Sequence, residues 1–579
     1  MAARGGMRKF RGRVRKHLEG IYGPTRARRL VTPLIEAMGY DGTVADPEPF
    51  RNRWDESDCW LITYAGTIHE PGRPGLQTLL EFIDEHFADA INGVHILPFF
   101  PYSSDDGFAV TDYLKVDRRA GSWKDVRAIA DRYRLMADLV INHGSSKSQW
   151  FKNFIARKDP GKDYFKEASP EDDLSRVVRP RSTPLRHKVE TADGERWVWC
   201  TFGPDQIDFD FANPQVLLRF VEIIRHYLAN GIRVLRLDAV AFLWKEPGTA
   251  SLHDQRTHEI VKLLRTLVEY YDPGVMLITE TNVPNRDNLT YFGNANEAHA
   301  IYNFSLPPLL IHTLLTGDCR HLKTWIMSMP PARNGTAYLN FIASHDGIGL
   351  RPADGLLSAT EMTNLLNTLG SFGGRISIRT GPDGDPHPYE ANISLFDALS
   401  GTVSGTDKHQ IARFVCAHAI MLALEGIPAI YVHSMLATPN DLEAVAETGR
   451  SRSINRHVWE RTEIEALLRK KNSTHSIVLR MLSELLVLRR RQKAFHPNAI
   501  QFTLHLGLEI FGVWRQSMDR EQDVFCISNV TDVAQAVPLE NVNLVSTVEW
   551  RDLISGSSVV EGQSHIELEP YQTVWLSNA

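Results

Sequence analysis

The sequence predicts an α/β protein: a parallel (β/α)8 TIM barrel with inserted segments over its C-terminal face and a β-sandwich at the end of the chain. Two observations carry this. Between residues 58 and 500, short apolar runs rich in β-branched residues alternate with amphipathic helical stretches through eight strands, the pattern of a parallel sheet with helical crossovers. Three of those runs lead into an acid, Asp238, Glu280 and Asp346. A buried strand interior offers such charges no water, so they belong at the strand mouths, which in a closed barrel open on one face. Three acids on three strands read as a catalytic rim.

Residues 1–57 form the first element. They are basic (Arg8, Lys9, Arg11, Arg13, Arg15, Lys16) and lack the apolar core of a secretory signal. Leu18, Ile21, Leu30, Leu34 and Ile35 predict packing helices, hence a helical N-terminal extension. In the catalytic barrel, residues 58–500, strands are expected at 59–65, 91–100, 135–143, 231–238, 275–280, 300–304, 336–344 and 428–433. Helical periodicity covers 76–87, 123–133, 258–270 and 411–424. Two connections are too long for simple βα loops. Residues 144–230 are polar and predict a small domain over the barrel mouth. Residues 350–410 carry Gly370, Gly373, Gly374, Gly381 and Gly384 before Tyr389 and Glu390, a second inserted region that is either functional or disordered. From 501 to 579 short alternating runs near 502–506, 510–514, 524–528 and 573–576 predict a C-terminal β domain.

Composition excludes several classes. A net charge of −6 gives no nucleic-acid footprint, and no apolar run reaches membrane-spanning length. The five cysteines are widely spaced without a C-x-x-C pair, which argues against a disulfide framework or zinc site and for a reducing, cytoplasmic setting.

The acids suit retaining glycoside chemistry, which needs a carboxylate nucleophile and a carboxylic acid about 5 Å apart across the scissile bond. Asp238 and Glu280 lie on neighbouring strands. Arg236, two residues before Asp238 and therefore on the same strand face, is expected to depress the Asp238 pKa and keep it ionised. Glu280, in a less charged stretch, is expected to have a raised pKa and to act as acid/base. Asp346, beside His345, could bind sugar hydroxyls and stabilise an oxocarbenium-like transition state. A divalent-metal site is the competing reading, but it would want acids on successive strands and a lysine base, and here the third acid is two strands beyond the second. Plainer readings stand beside the others: His143 as a structural histidine, Phe108 and Phe202 as core, Arg181 as a solvated charge, Asp138 as a brace of the barrel mouth.

In order along the chain, 138–143 (DLVINH), Arg236-Leu237-Asp238, Glu280 and His345-Asp346 resemble the four signature regions of the α-amylase superfamily. His95 to Phe99 (HILPF), Asp105 to Phe108 (DDGF), Arg179-Pro180-Arg181, His345 to Gly349 (HDGIG) and Ile454-Asn455-Arg456 are similar to its sucrose-phosphorylase branch. That resemblance runs from about residue 59 to the C-terminus. The N-terminal extension, 245–249 (KEPGT) and 280–284 (ETNVP) resemble longer members that act on glucosylglycerate.

The resemblance implies a fold, a reaction and roles. Asp238 would carry the β-glucosyl intermediate, Glu280 would be acid/base, and Asp346 the transition-state stabiliser. Asp105 and Arg456 would grip the far hydroxyls of glucose, with His143, His345 and Arg236 as further donors. Phe108 would be the platform under the ring and Phe202 a wall near the acceptor. Arg181 and Tyr389 would contact phosphate. Asn282 stands where sucrose phosphorylases carry histidine, and Glu390 where they carry glutamine, which shifts the acceptor from fructose toward a smaller one such as D-glycerate. The implied reaction is phosphorolysis of 2-O-α-D-glucosyl-D-glycerate to α-D-glucose 1-phosphate and D-glycerate, with inorganic phosphate as co-substrate and no metal or organic cofactor. A glycerate carboxylate beside Glu390 needs a compensating cation, for which Arg181 is the sequence's one candidate. Neutral glucosylglycerol, sucrose and sucrose 6-phosphate therefore remain alternative substrates, and a hydrolase, a transglucosidase or a non-catalytic sugar-binding module alternative classes. The partners expected are a small-molecule glucoside and phosphate, with neither nucleic acid nor membrane; a homodimer is left open.

Overall fold

The protein is described by a computed structural model covering residues 2–40, 44, 46–380, 386–542, 544, 549–560 and 562–578. Gly381 and Gly384 lie outside the described residues.

Eight parallel strands close into the expected barrel: β1 (Trp60–Thr63), β2 (Gly93–Ile96), β3 (Arg134–Val140), β4 (Val234–Asp238), β5 (Met276–Thr279), β6 (Ala300–Tyr302), β7 (Ala337–Asn340) and β8 (Ile427–Tyr431). Sequence neighbours are spatial neighbours around the ring, and β8 pairs with β1. Apart from Arg134 at the start of β3, the strands are buried end to end, which is why they read as continuous apolar runs.

Three strands are shorter than the apolar pattern suggested. Residues 97–100 leave the barrel at Pro98 to pack Phe99 and Phe100 beneath the loops. On the far side of β7, residues 341–344 likewise turn into the mouth. His143 does not continue β3; it opens a separate strand, His143–Ser145, antiparallel to Gln206–Asp208. Burial persists beyond the last ladder bond in each case, so hydrophobicity overshoots the strand end.

The N-terminal extension is one 37-residue helical element, Ala2–Met38, kinked at Gly23 (φ 77°) just before Pro24. Phe10, Val14, Leu18 and Ile21 recur at helical spacing and are buried. The element packs on the barrel helices Pro214–Ala229 and Gln255–Tyr271, where His17 Nδ1 lies 2.9 Å from Glu259.

Between β3 and β4 the chain builds a layer over the mouth from the pair just named and the hairpin Arg186–Thr191/Gly194–Trp199. Lys245 ties it down: the buried Nζ donates to Asn142 Oδ1 at 2.8 Å and sits 3.1 Å from Asp208 Oδ2. After β7, strands Ile348–Gly349, Pro386–Asn392 and Arg375–Thr380 make a three-stranded antiparallel sheet. Gly349 pairs with Glu390, which draws Tyr389 and Glu390 to the mouth. Glycine is required here: a Cβ on Gly347 would stand 2.6 Å from the Ala391 carbonyl, and one on Gly349 3.0 Å from the Asn282 amide.

The C-terminal domain has a five-stranded sheet containing Ile500–Thr503, Ile510–Gln516, Asp523–Asn529, Thr573–Ser577 and Arg551–Asp552, and a ribbon of Gln535–Pro538 with His565–Leu568. Ile510, Phe525, Ile527, Val537 and Leu568 share its core. Arg515 joins it to the barrel by donating to the carbonyls of Ala423 and His496 at 2.8 and 2.9 Å. The five cysteines are buried and unpaired, and among the described residues no helix is long and apolar enough to cross a membrane.

Candidate active site

The site grows from the floor of the barrel. Asp138 on β3 lies level with Arg236 on β4, so both point inward and meet. Asp138 accepts from Arg236, and its other oxygen lies 2.7 Å from His95 Nε2. Arg236 also donates to Asp238 Oδ1 at 2.9 Å. Asp138 is thus the brace that its sequence position suggested, and Arg236 is shared between two carboxylates.

On the adjacent strand Thr279 is level with Leu237, which brings Glu280 beside Asp238. Ala239 adopts a left-handed conformation, φ 51° and ψ 30°, uncommon for a residue with a side chain and a mark of functional turns. The turn aims the Ala239 N–H at Glu280, which accepts it at 2.9 Å. Burial pushes the Glu280 carboxyl up, as expected from its sequence setting. The expectation for Asp238 is corrected: its pKa is raised well above the usual range. Burial is the main cause, and repulsion from Glu280 adds to it; together they outweigh Arg236, whose charge Asp138 already shares. Both shifts favour a proton held between the two carboxyls. Only Asp238 contacts Arg236, which favours the charge there and the proton on Glu280.

Asp346 takes the opposite direction. Burial alone would raise it, yet Arg452 at 2.5 Å, His345 and Arg456 hold it well below the carboxylate range. Asp105 is likewise lowered despite burial, by Arg452, Arg456 and Arg181. Asp105 and Asp106 are consecutive left-handed residues, φ 53° and 47°, a conformation that aspartate tolerates better than most residues. The turn sends Asp105 to the cavity, where Gln206 Nε2 donates to it at 3.2 Å, and Asp106 to Arg456 Nη1 at 2.5 Å.

One cavity is lined by Asp105, Phe108, His143, Arg181, Phe202, Asp238, Glu280, Asn282, His345, Asp346 and Tyr389, all singled out from the sequence. Phe108 stacks on His345 with ring centroids 5.0 Å apart and planes 7° apart. Burial depresses the His345 pKa to about 3, so the ring is neutral. Both nitrogens of His143 are engaged: Nε2 donates to the Phe108 carbonyl at 3.0 Å, and Nδ1 accepts from Asn142 at 3.2 Å. Phe202 packs between His143 and Phe242. Arg181 lies over the Tyr389 ring, 5.3 Å from its centroid.

Three predicted residues do not line this cavity. Arg236 is below Asp238. Arg456 lies behind Asp105 and Asp346, donating to the His345 carbonyl at 2.8 Å. Glu390 is fully buried and held at both oxygens by Arg452, 3.0 and 2.9 Å away. Arg452 was missed from the sequence although it lines the cavity and bridges Glu390 to Asp346. Its one signal was the run of arginines at 450, 452 and 456 after β8. Gln206 and Arg351, also in the lining, carried no signal of their own.

The α-amylase catalytic-domain family matches residues 75–348. A glucosylglycerate phosphorylase of Allomeiothermus silvanus is 43% identical over 90% of this chain and 91% of its own length. Another of Spirochaeta thermophila is 39% identical over 98% of each chain. The crystal structure of sucrose 6F-phosphate phosphorylase from Thermoanaerobacter thermosaccharolyticum superposes with a TM-score of 0.72 at 24% identity, covering 89% of this chain and 98% of that one. With such identity along nearly its whole length, the chain belongs to the α-amylase superfamily, in the family of these phosphorylases.

Proposed function

We propose that the protein is a retaining α-glucosyl phosphorylase that converts 2-O-α-D-glucosyl-D-glycerate and phosphate to α-D-glucose 1-phosphate and D-glycerate. The single observation that carries the acceptor is the near-full-length identity to relatives named for glucosylglycerate.

In the first displacement the Asp238 carboxylate attacks the anomeric carbon as its bond to the glycerate oxygen breaks, and Glu280 passes its proton to that oxygen. This leaves a β-glucosyl ester on Asp238 and an ionised Glu280. In the second, a phosphate oxygen attacks the same carbon, Glu280 takes the phosphate proton, and Asp238 leaves as carboxylate. Two inversions give net retention. Asp346, kept ionised by Arg452, stabilises the oxocarbenium-like transition states. Asp105 binds the far hydroxyls, backed by Arg456 from behind, Phe108 and His345 pack at the ring, and Phe202 walls the mouth. Arg181 and Tyr389 receive phosphate. The charges that the reaction needs come from side chains, and the scheme calls on no metal or organic cofactor. We place the protein in the cytoplasm, on the strength of five buried free thiols.

The test is parallel assay of glucosylglycerate, glucosylglycerol, sucrose and sucrose 6-phosphate, with and without phosphate. Glucose 1-phosphate released from glucosylglycerate only when phosphate is present is the expected result. Free glucose formed at the same rate without phosphate would overturn the phosphorylase reading.

A further inference from the structure

The cations around the cavity divide into two groups. Arg236 is paired with Asp138 and Asp238, Arg452 with Asp346 and Glu390, and Arg456 with Asp106. Arg351 also lines the cavity, half-buried, at the start of the short helix Arg351–Ala353. Among the described residues its guanidinium makes neither an ion pair nor a hydrogen bond. Leu350, just before it, donates its N–H to the Tyr389 carbonyl at 3.1 Å, which fixes this turn against the strand that carries Tyr389. Its charged surroundings are Arg379, Tyr389, Asp354 and Asp287, none within ion-pair distance. A second group in the cavity is also unfilled: Asn282 Oδ1 is buried without a partner, while Nδ2 lies 3.5 Å from Tyr389 Oη.

A half-buried guanidinium without a counter-ion is costly unless an anion completes it. The reaction brings two anions in turn to one subsite: the acid acceptor leaves before phosphate enters. Phosphorolysis of a neutral glucoside needs a cation for phosphate alone, and Arg181 beside Tyr389 meets that need. A second unpaired cation is what a carboxylate-bearing acceptor adds.

We propose that Arg351 is the residue that selects an acid acceptor, its guanidinium binding the glycerate carboxylate while Asn282 Oδ1 accepts from an acceptor hydroxyl. This rests on the glucosylglycerate reading above. It adds a cation to Arg181, the one candidate that the sequence offered: Arg452, the partner of Glu390, is fully engaged, whereas Arg351 has no ion-pair partner among the described residues.

The deciding experiment runs the reaction in reverse, with α-D-glucose 1-phosphate as donor and D-glycerate or glycerol as acceptor, in wild type, R351Q and R351K. R351Q is expected to lower kcat/KM for D-glycerate roughly 100-fold and to leave kcat/KM for glycerol within about threefold, because glycerol has no carboxylate to lose. R351K should recover part of the loss, since a point charge replaces the planar fork. Equal losses with both acceptors would assign Arg351 to the donor phosphate and overturn the proposal, as would an unchanged ratio. Wild type that transfers to neither acceptor would instead refute the phosphorylase reading, whatever Arg351 does; transfer to glycerol alone would refute the glycerate reading. Among the described residues Arg351 has no side-chain partner to orphan, so R351Q should unfold at the wild-type temperature; if it does not, the R351K ratio decides.

Discussion

On the glucosyl side of the cavity Arg236, Arg452 and Arg456 each meet a carboxylate, whereas among the described residues Arg181 and Arg351 on the acceptor side meet none. Arg456 and Asp106 stand 2.5 Å apart, and Arg452 bridges Asp346 and Glu390. The difference follows the ligands. Glucose is neutral, so its grip must be charge-balanced before it arrives, with dipoles already aimed. Glycerate and phosphate are anions that bring the missing charge with them. One half is complete without substrate and the other is completed by it.

The largest effects test the seam between the halves. D238N should reduce kcat/KM by roughly 10⁴-fold or more, since it removes the carboxylate that forms the ester. E280Q should lose roughly 10²- to 10⁴-fold with glucosylglycerate but far less with α-glucosyl fluoride, whose leaving group needs no proton. Comparable losses with both donors would remove Glu280 from the acid role. The raised Glu280 pKa also sets a direction: phosphorolysis falls as pH rises through that pKa, and the first half-reaction with the fluoride should lack this fall.

Next comes stability, where the halves should part. R452M leaves Glu390 charged and unpaired in the interior and takes from Asp346 its nearest cation, at a cost of roughly 3 kcal/mol or more. R181Q and R351Q break no ion pair among the described residues and should stay within about 0.5 kcal/mol of wild type. Urea unfolding of the three variants makes the comparison; a destabilised R351Q with an unaffected R452M would reverse it.

Acid should act on the glucosyl half as well. His345 is held neutral, its pKa lowered from 6.5 to about 3 by burial. Below pH 6.5 the unfolded chain takes up a proton that the folded one refuses, so this group's contribution to stability falls as pH drops toward 3. Between pH 7 and pH 5 the loss from this residue is about 2 kcal/mol. H345Q, compared with wild type by urea unfolding at both pH values, should show a correspondingly smaller drop; an identical drop in both proteins would mean that His345 is not buried neutral.

What could be read in the sequence follows from what is local. The barrel and its rim acids were legible because strand period and strand end are local properties, and neighbouring strands then set Asp238 beside Glu280. The Arg236–Asp238 contact was legible from a two-residue spacing. The net pKa of Asp238 was not, because it depends on burial and on Asp138, which arrives from 98 residues earlier to share Arg236. Glu390 stood out as a departure from glutamine, but its meaning lies in Arg452, 62 residues away. Arg351 was illegible for the same reason: only the pairing of Gly349 with Glu390 turns its segment toward the mouth.

The smallest effect belongs to Asn282. N282A removes a buried amide oxygen that no described protein group uses, so folding should be unaffected. If that oxygen accepts from an acceptor hydroxyl, kcat/KM for D-glycerate should fall about tenfold, the value of one neutral hydrogen bond in a closed site. Hydrolysis of α-glucosyl fluoride, which draws on the glucosyl half and water alone, should not change. The pair of rates separates the halves within a single variant. A loss confined to the acceptor reaction places Asn282 beside Arg351, whereas parallel losses would mean that its contact with Tyr389 positions the glucosyl half too, and that the boundary between completed and open halves lies nearer the mouth than Glu280.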